Sequence, residues 1–412
     1  MNERACWVRR RVCVAVLVAA AALLGCGAEN EDAGEEVPAD DDFQHAHVLA
    51  PEDRQAKEVA DATGPDLSRG WGPVQFQRAY NLPALQSNKP PGYGTKVAII
   101  TAYHYSNLQH DLNVWAQYFG IKPFTLIIIN QAGIVSNSNW ALTSALAVQM
   151  LNTVSPGATV YVIEAKSVGQ LDMRTAMSTA VNLGVHVISM PFGASETGSQ
   201  SYATSLGANA NVVWIAASGS TSAPSFPATH PGVIAVGGTT AQLDATNALQ
   251  SETAWRLAGA GMSLVADMPS FQKIPSVQKL NTTAHRSIPD VAFHADPDRG
   301  AAVYASILGG WYRVGGTAVS TMLFAGVVAL ADTSRRFQSK PMLSSTSGHP
   351  TLQDSLYGLM STHGGPTSST ILNDVVAGSA GDGGYPAGPG YDVATGLGSL
   401  DVQQFIDYMT AQ

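Results

Sequence analysis

The sequence predicts an α/β fold, a parallel sheet flanked by helices on both faces. Three observations carry this. Short apolar runs rich in β-branched residues alternate with segments of helical periodicity, and glycine turns follow several of the runs. The 412 residues are 45% hydrophobic and only 13% charged, enough to bury a large core. Alternation of this kind implies βαβ units, whose parallel strands need crossover helices packed on the sheet. No fixed-period repeat is apparent.

Strands are expected at Lys96 to Thr101, Thr159 to Glu164, Val185 to Met190, Asn211 to Ala216 and Val233 to Val236, with helices at Ser138 to Asn152 and Leu171 to Leu183. Ser218-Gly219-Ser220 and Gly237-Gly238-Thr239 lie at strand ends, where an open α/β sheet places its ligand crevice. Glycine there can equally be a plain turn residue. Gly315-Gly316-Thr317-Ala318 precedes an apolar helical run from Val319 to Leu330. A glycine turn feeding a buried helix is how a serine nucleophile is commonly presented, but here the presented position is alanine.

The net charge is −9, and no Lys/Arg block lies outside the extreme N-terminus, so nucleic acid is not an expected partner. At that N-terminus Arg4, Arg9, Arg10 and Arg11 precede an apolar run from Val12 to Leu24, too short to span a bilayer and expected to be an export signal. Leu23-Leu24-Gly25-Cys26 resembles the lipobox of bacterial lipoproteins, which implies cleavage before Cys26 and its acylation; plain signal cleavage is the alternative. Cys6, Cys13 and Cys26 are the only cysteines, so the mature chain is expected to have no disulfide and to meet the membrane only through a lipid at Cys26. Residues 27–68 are acidic, include Asp40-Asp41-Asp42 and lack apolar periodicity, which predicts a disordered tether or a short regulatory tail. The folded domain is expected over 69–412.

Four further segments are specific in their order and spacing. They are Gln77-Arg78-Ala79-Tyr80-Asn81-Leu82-Pro83, Ser251-Glu252-Thr253-Ala254-Trp255, Pro289-Asp290-Val291-Ala292-Phe293-His294-Ala295-Asp296-Pro297, and Gly390-Tyr391-Asp392-Val393-Ala394-Thr395-Gly396-Leu397-Gly398-Ser399. Through them the chain resembles the sedolisin (serine-carboxyl) peptidases from about Trp71 to Asp401. The resemblance implies a subtilisin-like fold. It also implies a serine nucleophile, a glutamate base, an aspartate supporting that base and a second aspartate at the oxyanion.

The matching positions carry other residues. In the frame Trp140-Ala141-Leu142-Thr143-Ser144-Ala145-Leu146-Ala147-Val148, followed by Pro156-Gly157-Ala158, Thr143 stands at the base and Ala147 at its supporting aspartate. A rival register, one helical turn earlier, places Asn139 and Thr143 there and restores no carboxylate. Ser220 stands at the oxyanion aspartate, ahead of Phe226-Pro227-Ala228. Ala318 stands at the nucleophile, with Met322 where the family has proline. Ser320, His104, His110, His230 and His294 are the candidates for a rebuilt site. Active members of the family also carry a long folded propeptide, in place of which the tether is expected here.

The resemblance further implies one structural Ca²⁺, held by the carboxylates of Asp374 and Asp392 and the main-chain carbonyls of Val375, Gly388 and Gly390, an all-oxygen shell. Three functions stay open on the sequence. One is an inactive, exported, monomeric scaffold that holds a peptide or protein in the remnant cleft at the cell envelope. Another is an acid serine-type endopeptidase using non-standard residues. The third is a purely structural envelope lipoprotein.

Overall fold

The computed structural model describes residues 44–46, 48–49, 65, 67, 70–83, 90–196, 206, 211–345, 351–362, 365 and 367–412. The leader, the Cys26 site and most of the expected tether lie outside the described residues.

In chain order the first elements are β1 (Gln44–His45), β2 (Val48–Leu49), α1 (Pro73–Ala79), β3 (Lys96–Ala102), α2 (Leu108–Phe119), β4 (Leu126–Asn130), α3 (Ser138–Val154), β5 (Thr159–Ala165) and α4 (Gln170–Asn182). Next come β6 (Val187–Met190), β7 (Phe192–Gly193), β8 (Val213–Ala217), β9 (Val233–Leu243), β10 (Leu249–Ala254), β11 (Gly261–Asp267), α5 (Pro275–Leu280), β12 (His285–Ile288) and β13 (Val291–His294). The chain continues through β14 (Ala301–Ala305), β15 (Gly310–Gly315), α6 (Thr317–Phe337), α7 (Leu352–Thr362) and, after several two-residue strands, α8 (Val402–Ala411).

The central sheet runs β10-β9-β8-β6-β3-β5-β4, with β13 added in parallel along β9. All its pairings are parallel except β10 on β9. Alternate residues of β3 show how both faces are covered. Val97 and Ile99 pack into the core built by α3 and α6, whereas Ala98 and Ile100 face Met173 and Met177 of α4. The structure is therefore the expected subtilisin-like α/β sheet with helices on both faces. The strand β9 outruns its expected end at Val236 because its second half leaves the parallel stack and pairs with β10.

Two helices matter for the site. From Trp140 to Val154 every residue of α3 is buried, and Asn137 caps its N-terminus by accepting the Trp140 amide at 3.1 Å. The 21-residue α6 is apolar and long enough for a membrane span, yet it is the core helix of the domain. The two helices meet at Gly326, where a Cβ would lie 2.5 Å from the Val154 side chain, and Ser155 Oγ ties the contact by donating to the Gly326 carbonyl at 2.8 Å.

The region expected to be a disordered tether contains ordered elements. Strand β1 pairs antiparallel with β7 (Gln44 opposite Gly193, His45 opposite Phe192), and β2 pairs antiparallel with β15 (Val48 opposite Gly315, Leu49 opposite Val314). Such pairing uses main-chain groups, so it asks for no apolar periodicity in the segment that docks.

Candidate functional site

The site lies where the loop after β8 meets the turn between β15 and α6. Gly315 packs so closely that a Cβ would fall 2.4 Å from the Pro297 nitrogen and 2.5 Å from the Ala295 carbonyl oxygen. Gly316 follows at φ +91°, a left-handed conformation that favours glycine. This turn delivers Thr317 and Ala318 as the first residues of α6, where helix amides have no intrahelical acceptor.

Those amides find partners across the cleft. The Thr317 amide donates to Ser220 Oγ at 3.0 Å, and Thr317 Oγ1 donates to the Gly219 carbonyl at 2.9 Å. Ser220 Oγ in turn donates to the Ala46 carbonyl oxygen at 3.0 Å, and the Ala318 amide donates to the same oxygen at 2.9 Å. One peptide carbonyl is thus held by two convergent donors, the arrangement that stabilises charge on a reacting carbonyl oxygen. Ala46 is 2% exposed and its own amide donates to Pro191 O at 3.3 Å. Beside it opens a cavity of about 200 Å³, whose walls include Gly193, Ala194, Gly219, Ser220 and Ser225 and carry no ionisable group.

Ser220 and Ala318 are therefore brought together on one ligand atom. Thr143 and Ala147 lie one turn apart on α3, both closed to solvent, and α3 passes alongside β1. The Thr143 hydroxyl donates to the Asn139 carbonyl at 3.1 Å, while Asn139 itself, the other member of the rival register, is exposed. Ser320 is buried, and its hydroxyl donates backwards to the Thr317 carbonyl at 2.9 Å.

The histidines are engaged elsewhere or exposed. His294 stacks on Trp71, accepts the Ala241 amide on Nδ1 at 3.1 Å and so donates from Nε2 to the Arg299 carbonyl at 2.9 Å; burial pushes its pKa down to about 4. His230 accepts the Gly232 amide and is likewise held at about 4 by burial. His104 Nδ1 lies 2.6 Å from Glu164 Oε2 at the end of β5, and His110 is exposed on α2.

The segments that carry the family resemblance converge on buried carboxylates outside the cleft. Glu252 accepts from Tyr80 OH at 2.8 Å, Thr239 Oγ1 at 2.5 Å and Ser399 Oγ at 2.5 Å, joining three of them, while Tyr80 OH also accepts the His294 amide at 2.7 Å. Asp290 forms a bidentate pair with Arg286 at 2.7 and 2.6 Å and also receives the Tyr357 hydroxyl and the Ala235 amide, each at 2.8 Å. These motifs hold the sheet and the C-terminal loops together; they do not reach the Ala46 carbonyl.

At the C-terminal loop the Gly390 amide donates to both oxygens of Asp374, at 3.2 and 3.1 Å, and the Gly388 amide donates to Asp392 at 3.0 Å. Both carboxylates converge on one short loop, and neither has a cationic partner among the described residues. Burial raises the pKa of Asp374, and that of Asp392 to about 6, as expected for acids lacking a counter-charge. No cluster of three or more His, Cys, Asp or Glu side chains exists among the described residues. A cation bound by this pair must therefore complete its shell with main-chain carbonyls, such as those of Val375, Gly388 and Gly390, and an all-oxygen shell suits a hard divalent ion.

Residues 86–357 match the family model described as the subtilase family. Sedolisin of Pseudomonas sp. (strain 101) is 27% identical over 89% of this chain, which spans 65% of that protein's length. Xanthomonalisin of Xanthomonas sp. (strain T-22) is 30% identical over 45% of this chain and 22% of its own. Tripeptidyl-peptidase 1 of Rattus norvegicus is 33% identical over 43% of this chain and 31% of its own. Among solved structures, Pseudomonas sedolisin (serine-carboxyl proteinase) complexed with two molecules of pseudo-iodotyrostatin superposes with a TM-score of 0.70 at 24% identity, covering 84% of this chain and 99% of that one. With the family match extending over more than half its length, the chain belongs to the subtilase family and, within it, to the sedolisin group.

Proposed function

We propose that the protein is a non-hydrolysing member of this peptidase family that holds an extended peptide or protein segment in the former catalytic cleft. One observation carries the reading. The Ala318 amide and the Ser220 hydroxyl hold a peptide carbonyl as an oxyanion site would, yet the side chain beside it is a methyl group. A methyl cannot attack a carbonyl, and Thr143 and Ala147 supply no carboxylate to activate a hydroxyl elsewhere. Losing a serine nucleophile costs on the order of 10⁶ in turnover, so binding outlasts catalysis.

The export signal and lipobox support a place at the cell envelope, with a lipid on Cys26 as the membrane attachment and the domain monomeric. The Asp374 and Asp392 pair supports one structural Ca²⁺ that favours the folded domain. The decisive experiment is turnover of a mixed peptide library by residues 27–412 from pH 3 to 8 with calcium present. A chain carrying Thr143→Glu, Ala147→Asp, Ser220→Asp and Ala318→Ser is assayed beside it. No cleavage by the native chain, with cleavage by the fourfold variant, is the expected result. Cleavage by the native chain that survives repurification overturns the proposal.

A further inference from the structure

The ligand in the cleft is the protein's own N-terminal segment. We infer that Gln44–His45, Ala46 and Val48–Leu49 are the resident occupant of the site, held in the register of a peptide whose reacting carbonyl is Ala46, and that any other peptide must displace them. The inference rests on the binding reading above and names the first ligand of that same site.

Four features support it. The occupant is fixed on both sides of the held carbonyl, by β7 before it and β15 after it, so it crosses the cleft as a strand crosses a sheet edge. The Ala46 amide and carbonyl are both satisfied by the cleft, at Pro191 O on one side and at Ala318 N and Ser220 Oγ on the other. The two residues that grip Ala46 O, Ser220 and Ala318, lie on the two loops that Thr317 ties together, so the ties between these loops do not involve the strand. Finally, the occupant leaves its pocket unfilled, because a cavity of about 200 Å³ remains open beside Ala46.

Covalent connection explains how an incomplete fit can still hold. A segment joined to its site through the same chain binds intramolecularly, at an effective concentration on the order of millimolar. A free peptide with a larger neutral side chain at the Ala46 position gains burial in the cavity and loses that advantage of connection. The cleft therefore selects for ligands that bind better than its own strand, and the group it accepts is uncharged, since its walls carry no ionisable side chain.

The test uses the whole mature chain. The amide exchange of Ala318 is measured first, because Ala46 O is its acceptor. A fluorescent peptide spanning residues 42–51 with Leu at the Ala46 position is then titrated into the native chain and into an Ala46→Pro variant, which lacks the amide that bonds Pro191. Slow exchange at Ala318 in the native chain, fast exchange in Ala46→Pro, and at least about tenfold tighter peptide binding by the variant are expected. Fast exchange at Ala318 in the native chain, measured with no variant at all, overturns the inference, as does equal or weaker peptide binding by Ala46→Pro with exchange unchanged. Loss of Ala318 protection in Ala46→Pro with no peptide bound by either chain keeps the strand in the cleft and instead removes the proposed binding of outside peptides.

Discussion

Ser220 Oγ accepts the Thr317 amide at 3.0 Å and passes its own proton towards the Ala46 carbonyl oxygen, also at 3.0 Å. A hydroxyl can do both at once, whereas an ionised carboxylate can only accept. Ser220→Asp should therefore keep the Thr317 bond but set a charged oxygen against the Ala46 carbonyl at neutral pH. The expected outcome is amide exchange at Ala318 that speeds about tenfold as pH rises past the carboxylate range and slows again in acid, when the protonated acid can donate. Exchange that does not vary with pH beyond its intrinsic rate would show that Ser220 does not grip the strand.

Restoring the chemistry should direct it at the resident strand. In the fourfold variant the hydroxyl from Ala318→Ser adds to the Ala46 carbonyl carbon, and its proton passes through the carboxylate from Thr143→Glu to the departing amine. Water then hydrolyses the ester. In acid, where the carboxyl introduced by Ser220→Asp is protonated and donates to the Ala46 carbonyl, intact mass is expected to show one cut, after Ala46, in the fourfold variant, while Ala318→Ser alone stays uncut because no base takes its proton.

Much of this was legible in the sequence, and the exceptions have physical causes. Buried strands such as β3 and β5 announce themselves because a strand covered on both faces reads as an unbroken apolar run. The alanine at position 318 was readable for the same reason its turn was, since Gly315 and Gly316 admit few alternatives. Docking of Gln44–Leu49 was not legible, because main-chain pairing leaves no periodic trace and the acidic residues before it dominate the composition. The one available sign was the pair Val48-Leu49, the first adjacent large aliphatic residues after the acidic block. Glu252 and Asp290 could be placed in family motifs, but only the structure reveals that they are the meeting points of distant segments.

Asp332 predicts a pH dependence of stability. It is buried on α6 with one oxygen accepting the Leu343 amide at 2.8 Å, and burial raises its pKa to about 7. An acid with a raised folded pKa binds more protons folded than unfolded. The fold is thus unpenalised by this group in acid and loses stability from about pH 4 up to about pH 7, by an amount on the order of 4 kcal/mol. Asp332→Asn should flatten that slope and leave the protein about 2 kcal/mol more stable at pH 7, read from urea unfolding at a series of pH values.

The buried pair of Arg286 and Asp290 should be costly to break from one side. Arg286→Met leaves a charged carboxylate in the core with only the Tyr357 and Ala235 donors. A loss of about 3–5 kcal/mol is expected in denaturant unfolding, and a loss below about 1 kcal/mol would mean that water reaches the site.

Calcium should raise the melting temperature of the native chain, with about 2.7 kcal/mol gained at a hundredfold excess over the dissociation constant. Asp392→Asn should abolish the rise, whereas EDTA should lower the midpoint of the native chain only.

The docked strand also sets a length. Only the 17 residues 27–43 separate Cys26 from β1, a contour of at most about 60 Å. Releasing the strand moves the first anchored position to Trp71 and adds 27 residues, about another 90 Å. With a lipid on Cys26, a peptide that displaces the strand would do more than fill a cleft. It would pay out leash, and a domain confined near the membrane surface would gain the reach to meet partners well beyond it.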